Sequence, residues 1–137
     1  MLNWGARVLY LGPAFALTPH RNATAVLAVA LDDEIGVADD PACSGTSYRT
    51  ARSVLILPNS LHHLRIDSGR MAFLYVDPLG HDLAALRMRM TDIGSRAAFD
   101  LRNERSAIEL LGAVADRRLT SEQARRQVGE LLGVASG

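Results

Sequence analysis

At 137 residues, with 48% hydrophobic and 22% charged side chains, the chain can bury the core of one domain without disulfide help. Its 15 basic residues, all arginine, balance 15 acidic ones. The part up to Pro78 carries six arginines against seven acids and the remainder nine against eight, so neither has the basic excess that binding a phosphate backbone demands. No apolar run nears the ~20 residues of a membrane helix, and no cleavable leader is seen. The lone Cys43 cannot form an internal disulfide, which fits a reducing cytoplasm.

The first two-thirds of the chain read as strands. Arg7 to Leu11 is short and ends at Gly12-Pro13. Thr24 to Leu31 is a continuous small-apolar run, as in a strand buried on both faces. Asp32-Asp33 makes a turn and Glu34 to Ala38 returns, followed by a Gly/Ser/Asp-rich loop over 39–47. Ser53 to Leu57 is the clearest strand, stopped by Pro58-Asn59-Ser60, and His63 to Asp67 and Met71 to Asp77 follow. Short strands at this spacing, punctuated by turn residues, predict a sandwich or barrel.

The hydrophobic period then changes. From Gly80 to Met90, Leu83, Leu86 and Met90 fall at helical spacing. A second helix, capped at or near Asp100, carries Ile108, Leu111 and Val114, and Asp116 to Leu119 links it to a third. Thr120-Ser121-Glu122 starts that third helix with an N-cap and an early acid. It carries Ala124, Val128, Leu131 and Leu132 and stops at Gly133. The fold class expected is α+β: a small barrel over residues 1–79, then C-terminal helices over 80–137, within one structural domain.

Histidines at the ends of inner strands resemble the cupin layout. Metal-holding cupins present two histidines one residue apart, then a glutamate, then a later histidine, so that side chains on one face share an ion. This chain has His20-Arg21-Asn22, only Ala25, Val26 and Leu27 in the glutamate window, and His63 after Pro58. His20 and His63 are thus the only good ligands, one short of the usual minimum of about three. No metal and no cofactor are expected, and the two imidazoles are read as pocket groups.

The order His20, the small-apolar strand, Leu55-Ile-Leu-Pro58, His63 and then Leu74-Tyr-Val-Asp77-Pro78 running into a helix resembles the N-terminal domain of AraC-type bacterial transcription regulators. The likeness covers about residues 5–90. It implies a cupin-like (double-stranded β-helix) barrel that admits a small-molecule effector, and helices that form a homodimer surface. DNA would be bound by a C-terminal helix-turn-helix pair absent from these residues. Leu119 to Ser136 faintly imitates a first helix and turn, but a recognition helix would have to follow, so the segment reads as a dimerisation or linker helix.

Strand alternation assigns the pocket. Asn22, Thr24 and Val26 share a face with His20, Leu61 and Arg65 share one with His63, and Phe73, Tyr75 and Asp77 share another. His20, Asn22, His63, Arg65 and Tyr75 are the expected ligand-binding residues. Arg65, facing inward, would favour an anionic effector. Leu83, Leu86, Met90, Ile108, Leu111, Val128, Leu131 and Leu132 are expected at the dimer interface, because three amphipathic helices exceed what one small barrel covers.

No catalytic residue is assigned. The alternative is a stand-alone cupin enzyme, an isomerase, lyase or dioxygenase, using His20 and His63 as acid–base groups. Asp32-Asp33-Glu34 and Asp39-Asp40 lack the ligand spacing of a calcium loop. The nine arginines after Pro78 read as a solvated, ion-paired helix surface, because acids are interleaved with them. Ser44 and Ser60 have no nucleophile motif around them.

Overall fold

The computed structural model describes residues 2–5, 7–13, 24–38, 49–58, 63–65, 69–77, 79–93 and 97–132, except the side chains of Pro13, His63 and Arg65. Among these, ten strands and three helices are laid out as two antiparallel sheets with helices on one side. The larger sheet has seven strands: β1 (Leu2–Asn3), β2 (Arg7–Pro13), β8 (Arg70–Val76), β3 (Ala25–Ala30), β6 (Ser53–Ile56), β10 (Ala97–Leu101) and β9 (Met90–Ile93), in that spatial order. The smaller has β5 (Arg49–Ala51), β4 (Ile35–Ala38) and β7 (His63–Arg65). Helix α1 spans His81–Arg89, α2 Glu104–Ala115 and α3 Ser121–Leu131.

Alternation along each strand sorts side chains between two cores. In β3, Ala25, Leu27 and Val29 face the helices, while Val26, Ala28 and Ala30 face the small sheet. In β8, Ala72, Leu74 and Val76 take the helix side, and Met71, Phe73 and Tyr75 the other. All six residues of β3 are buried, which is why its sequence is uniformly apolar rather than alternating. In β10, Ala97 and Phe99 face the small sheet, but Leu101 lies with the helices. Asp100 between them has a positive φ of 62°, and that turn of the backbone breaks the alternation.

The α+β class holds, with two differences from the sequence reading. Among the described residues the strands do not close into a barrel: the large sheet ends at β1 and β9, and the small sheet stands as a separate ladder. Its short partners β5 and β7 pair only with β4, so the two sheets pack face to face. The second difference is the β9–β10 hairpin, which fills the stretch between the first two expected helices, where no strand was expected. Met90 ends the turn of α1 and begins β9 with its side chain buried, so one apolar residue serves both patterns.

The helices are held by side chains from distant strands. Arg7 grips Asp82 of α1 with two hydrogen bonds of 2.6 and 3.0 Å. Gly129 of α3 lies against the same guanidinium; a Cβ there would be 3.4 Å from it. At the start of α2, Asn103 has φ 57° and makes no side-chain cap. Asp100, expected near this cap, lies three residues earlier in β10. The tie is made instead by the buried Ser53 of β6, whose hydroxyl donates to Glu104 and accepts from the Leu101 N–H at 2.8 Å. Helix α3 starts as expected, with a reciprocal capping box between Thr120 and Gln123.

Candidate functional site

The space between the two sheets is filled by apolar and aromatic side chains. Val26 from β3 and Phe73 from β8 are buried there, Leu64 enters from β7, and Tyr10 and Tyr75 are half-buried at its margin. Tyr10 of β2 stands opposite Phe73 in the ladder, and their rings are tilted by 41° with centroids 6.1 Å apart. Gly12, two residues along the same face, makes room for that ring. A Cβ at Gly12 would sit 2.6 Å from the Tyr10 hydroxyl oxygen.

Tyr75 is flanked by Val8 on one side and Val26 on the other. Burial pushes its phenol above the ordinary tyrosine value, and the nearby Tyr10 phenol adds to this by charge repulsion. The margin thus presents tyrosine side chains beside the ring of Phe73. Apolar walls with a few polar anchors suit a small organic molecule.

The sequence-assigned residues are distributed unevenly. Tyr75 is in this site, with Val26 and Phe73 on the face expected of them. His20, Asn22 and Leu61 lie outside the described residues, as does Cys43. The backbones of His63 and Arg65 pair with Ala38 and Gly36, but their side chains are also outside the description. Thr24 is exposed just before β3. Among the described residues, no three histidine, cysteine, aspartate or glutamate side chains are grouped to hold a metal ion. Tyr10 was missed, because its place follows from the pairing of β2 with β8.

The expected interface residues are mostly consumed by the chain itself. Leu86, Met90, Leu111, Val128 and Leu132 are buried in the helix-side core, and Leu83, Ile108 and Leu131 are half-buried against it. A seven-stranded sheet offers these helices a much wider floor than the small barrel first expected.

Compared by sequence, the chain matches no protein-family profile and no curated protein. Compared by structure, it is similar to ToxT from Vibrio cholerae strain SCE256, in a crystal structure with bound unsaturated fatty acid. The TM-score is 0.55 at 12% identity, over 91% of this chain and 50% of ToxT. The chain therefore spans half the length of that protein. At this identity the likeness is one of fold. No helix among the described residues is long and apolar enough to cross a membrane.

Proposed function

We propose that this chain is the effector-sensing domain of an AraC-type transcription regulator, binding a small organic molecule between its two sheets. The observation that carries the reading is the fold likeness to ToxT, an AraC-family regulator, over nearly the whole chain. The resemblance of residues 5–90 to AraC-type N-terminal domains supports it independently. The cupin-like reading belongs here too: two facing antiparallel sheets are the layout of that fold, though without closure among the described residues.

The role is binding rather than catalysis, with His20, Asn22, His63 and Arg65 as pocket groups beside Tyr75 and, newly, Tyr10. DNA contact belongs to a separate helix-turn-helix region. Self-association belongs to the same reading, with Leu83, Ile108 and Leu131 at the margin of its surface. An amphipathic carboxylate suits phenols beside apolar walls and an arginine from β7, and the fatty acid of ToxT makes that class the first to test.

A thermal-shift screen of unsaturated fatty acids, sugars and small aromatics tests the proposal. A saturable rise in melting temperature for one class, reduced in Gly12→Ala, is expected. No shift with any class, or an undiminished shift in that variant, would count against the inter-sheet site.

A further inference from the structure

Several of the acids after Pro78 pair with arginines of the first half rather than with those interleaved with them. Asp82 is held by Arg7, Asp92 and Asp100 by Arg49, and Asp116 chiefly by Arg70 at 2.7 Å. Glu104 is tied to Ser53. Strands of the first half thus hold five carboxylates of the second. Of the arginines after Pro78 that are described, only Arg118 and Arg125 make ion pairs. Arg89 and Arg102 have no side-chain partner among the described residues.

Those two arginines line one groove of about 350 Å³, together with Asn103, Ala85, Met88 and Leu132. Its size is at the small end of organic-ligand sites. The two arginines are brought together by the chain itself: the Arg102 N–H donates to the Arg89 carbonyl at 2.7 Å. Because both arginines line the same groove, an oxyanion placed there would meet two charged donors. The Asn103 amide, which makes no cap to α2, lines the same groove and adds a neutral hydrogen-bonding group. In the same lining Met88 is 77% exposed, an adaptable apolar surface.

We propose that this groove, between α1, the turn joining β10 to α2, and the end of α3, binds a small organic anion. Its carboxylate or phosphate head lies against Arg89 and Arg102, and a short apolar body rests on Met88. The site is on the helix side, on the opposite side of the large sheet from the inter-sheet chamber. Its occupant is therefore independent of the effector, and would adjust the helices rather than fill the chamber.

The test is an NMR titration of the whole chain with phenyl phosphate, 4-phenylbutyrate, inorganic phosphate and benzyl alcohol. Saturable shifts of the Met88 methyl and the amides of residues 102–105 are expected with both organic anions. Inorganic phosphate and benzyl alcohol should bind at least tenfold more weakly, each lacking one half of the ligand. Response to only one organic anion supports the site and names its head group. Arg102→Gln, at an exposed position, should weaken binding about tenfold with the melting temperature unchanged, and Arg89→Gln should do the same. Shifts spread over the surface without saturation, or binding unaltered in Arg102→Gln, would overturn the proposal.

Discussion

The two faces of the seven-stranded sheet are built from different side chains. Toward the helices the buried residues are leucine, alanine, valine and one methionine, with leucine supplying ten of twenty. Toward the small sheet the core includes Phe73 and Phe99, with Tyr10 and Tyr75 packed at its margin. Aliphatic side chains interdigitate to crystal-like density and leave no polar atom to answer a guest. Aromatic rings with hydroxyls give flat walls and hydrogen-bonding tips. The first face is a purely aliphatic core, and the second is where the proposed recognition site lies. Arg49, whose guanidinium lies 3.9 Å above the Phe99 ring while pairing with Asp92 at 2.5 Å, stitches the small sheet to the hairpin of the large one.

That division is sharpest when tested by removing bulk from the helix side. Leu111 of α2 is 2% exposed within the aliphatic core. Leu111→Ala should lower unfolding stability by about 2–5 kcal/mol, the range for truncating a buried leucine. Urea denaturation measures this, and effector affinity of the folded fraction should be unchanged. A loss of affinity comparable to the loss of stability would mean that the two faces are coupled.

The strands were legible because their signals are local. Ser53 to Leu57 and Met71 to Asp77 were each bounded by turn residues, and the observed β6 and β8 agree to within a residue or so. The N-cap at Thr120 was equally visible, though its reciprocal partner Gln123 was not singled out. What escaped depends on contacts distant in sequence. The β9–β10 hairpin was hidden because Met90 and Leu101 suit a helical stripe as well as a strand. The destination of the three helical stripes was hidden because the width of the sheet beneath them is a property of strand order. At the site, Tyr75 and Phe73 followed from alternation, whereas Tyr10 required knowing that β2 lies beside β8. The ion pairing of the late arginines could not be read at all, since Arg7, Arg49 and Arg70 are nowhere near Asp82, Asp92 and Asp116 in the chain.

A charged strap joins the two sides at one edge. Arg70 holds Asp32, in the turn leading to the small sheet, and Asp116, at the end of α2. Hydrogen bonds from the Arg70 side chain, then from its backbone N–H, hold the Asp32 carboxyl below the usual carboxylate range. A carboxyl with a lowered folded pKa stabilises the protein above about pH 4 and loses that contribution as pH falls through the folded value. Arg70→Gln should therefore lower the denaturation midpoint modestly at neutral pH, because the pairs are partly exposed. The difference from the unaltered protein should shrink in acid. A gap independent of pH would show that Arg70 acts by packing, and that the strap does not carry charge between the faces.

The smallest structural change asks the most of the comparison. Tyr75→Phe removes one oxygen at the margin of the chamber and leaves the ring and its neighbours Val8 and Val26 in place. Stability near neutral pH should move by no more than about 0.5 kcal/mol, as for a substitution that opens no cavity. The alkaline limb should change more clearly. In the folded chain burial raises the Tyr75 phenol above its ordinary value, so its contribution is present below about pH 10 and is lost as pH rises through the folded pKa. Tyr75→Phe should flatten that limb. Effector affinity should meanwhile fall about tenfold if the phenol hydrogen-bonds the guest, consistent with about 1.4 kcal/mol for one well-placed bond. Stability lost without affinity would reverse the assignment: Tyr75 would then be a packing residue like Leu111, and the aromatic face would be a second core rather than a chamber.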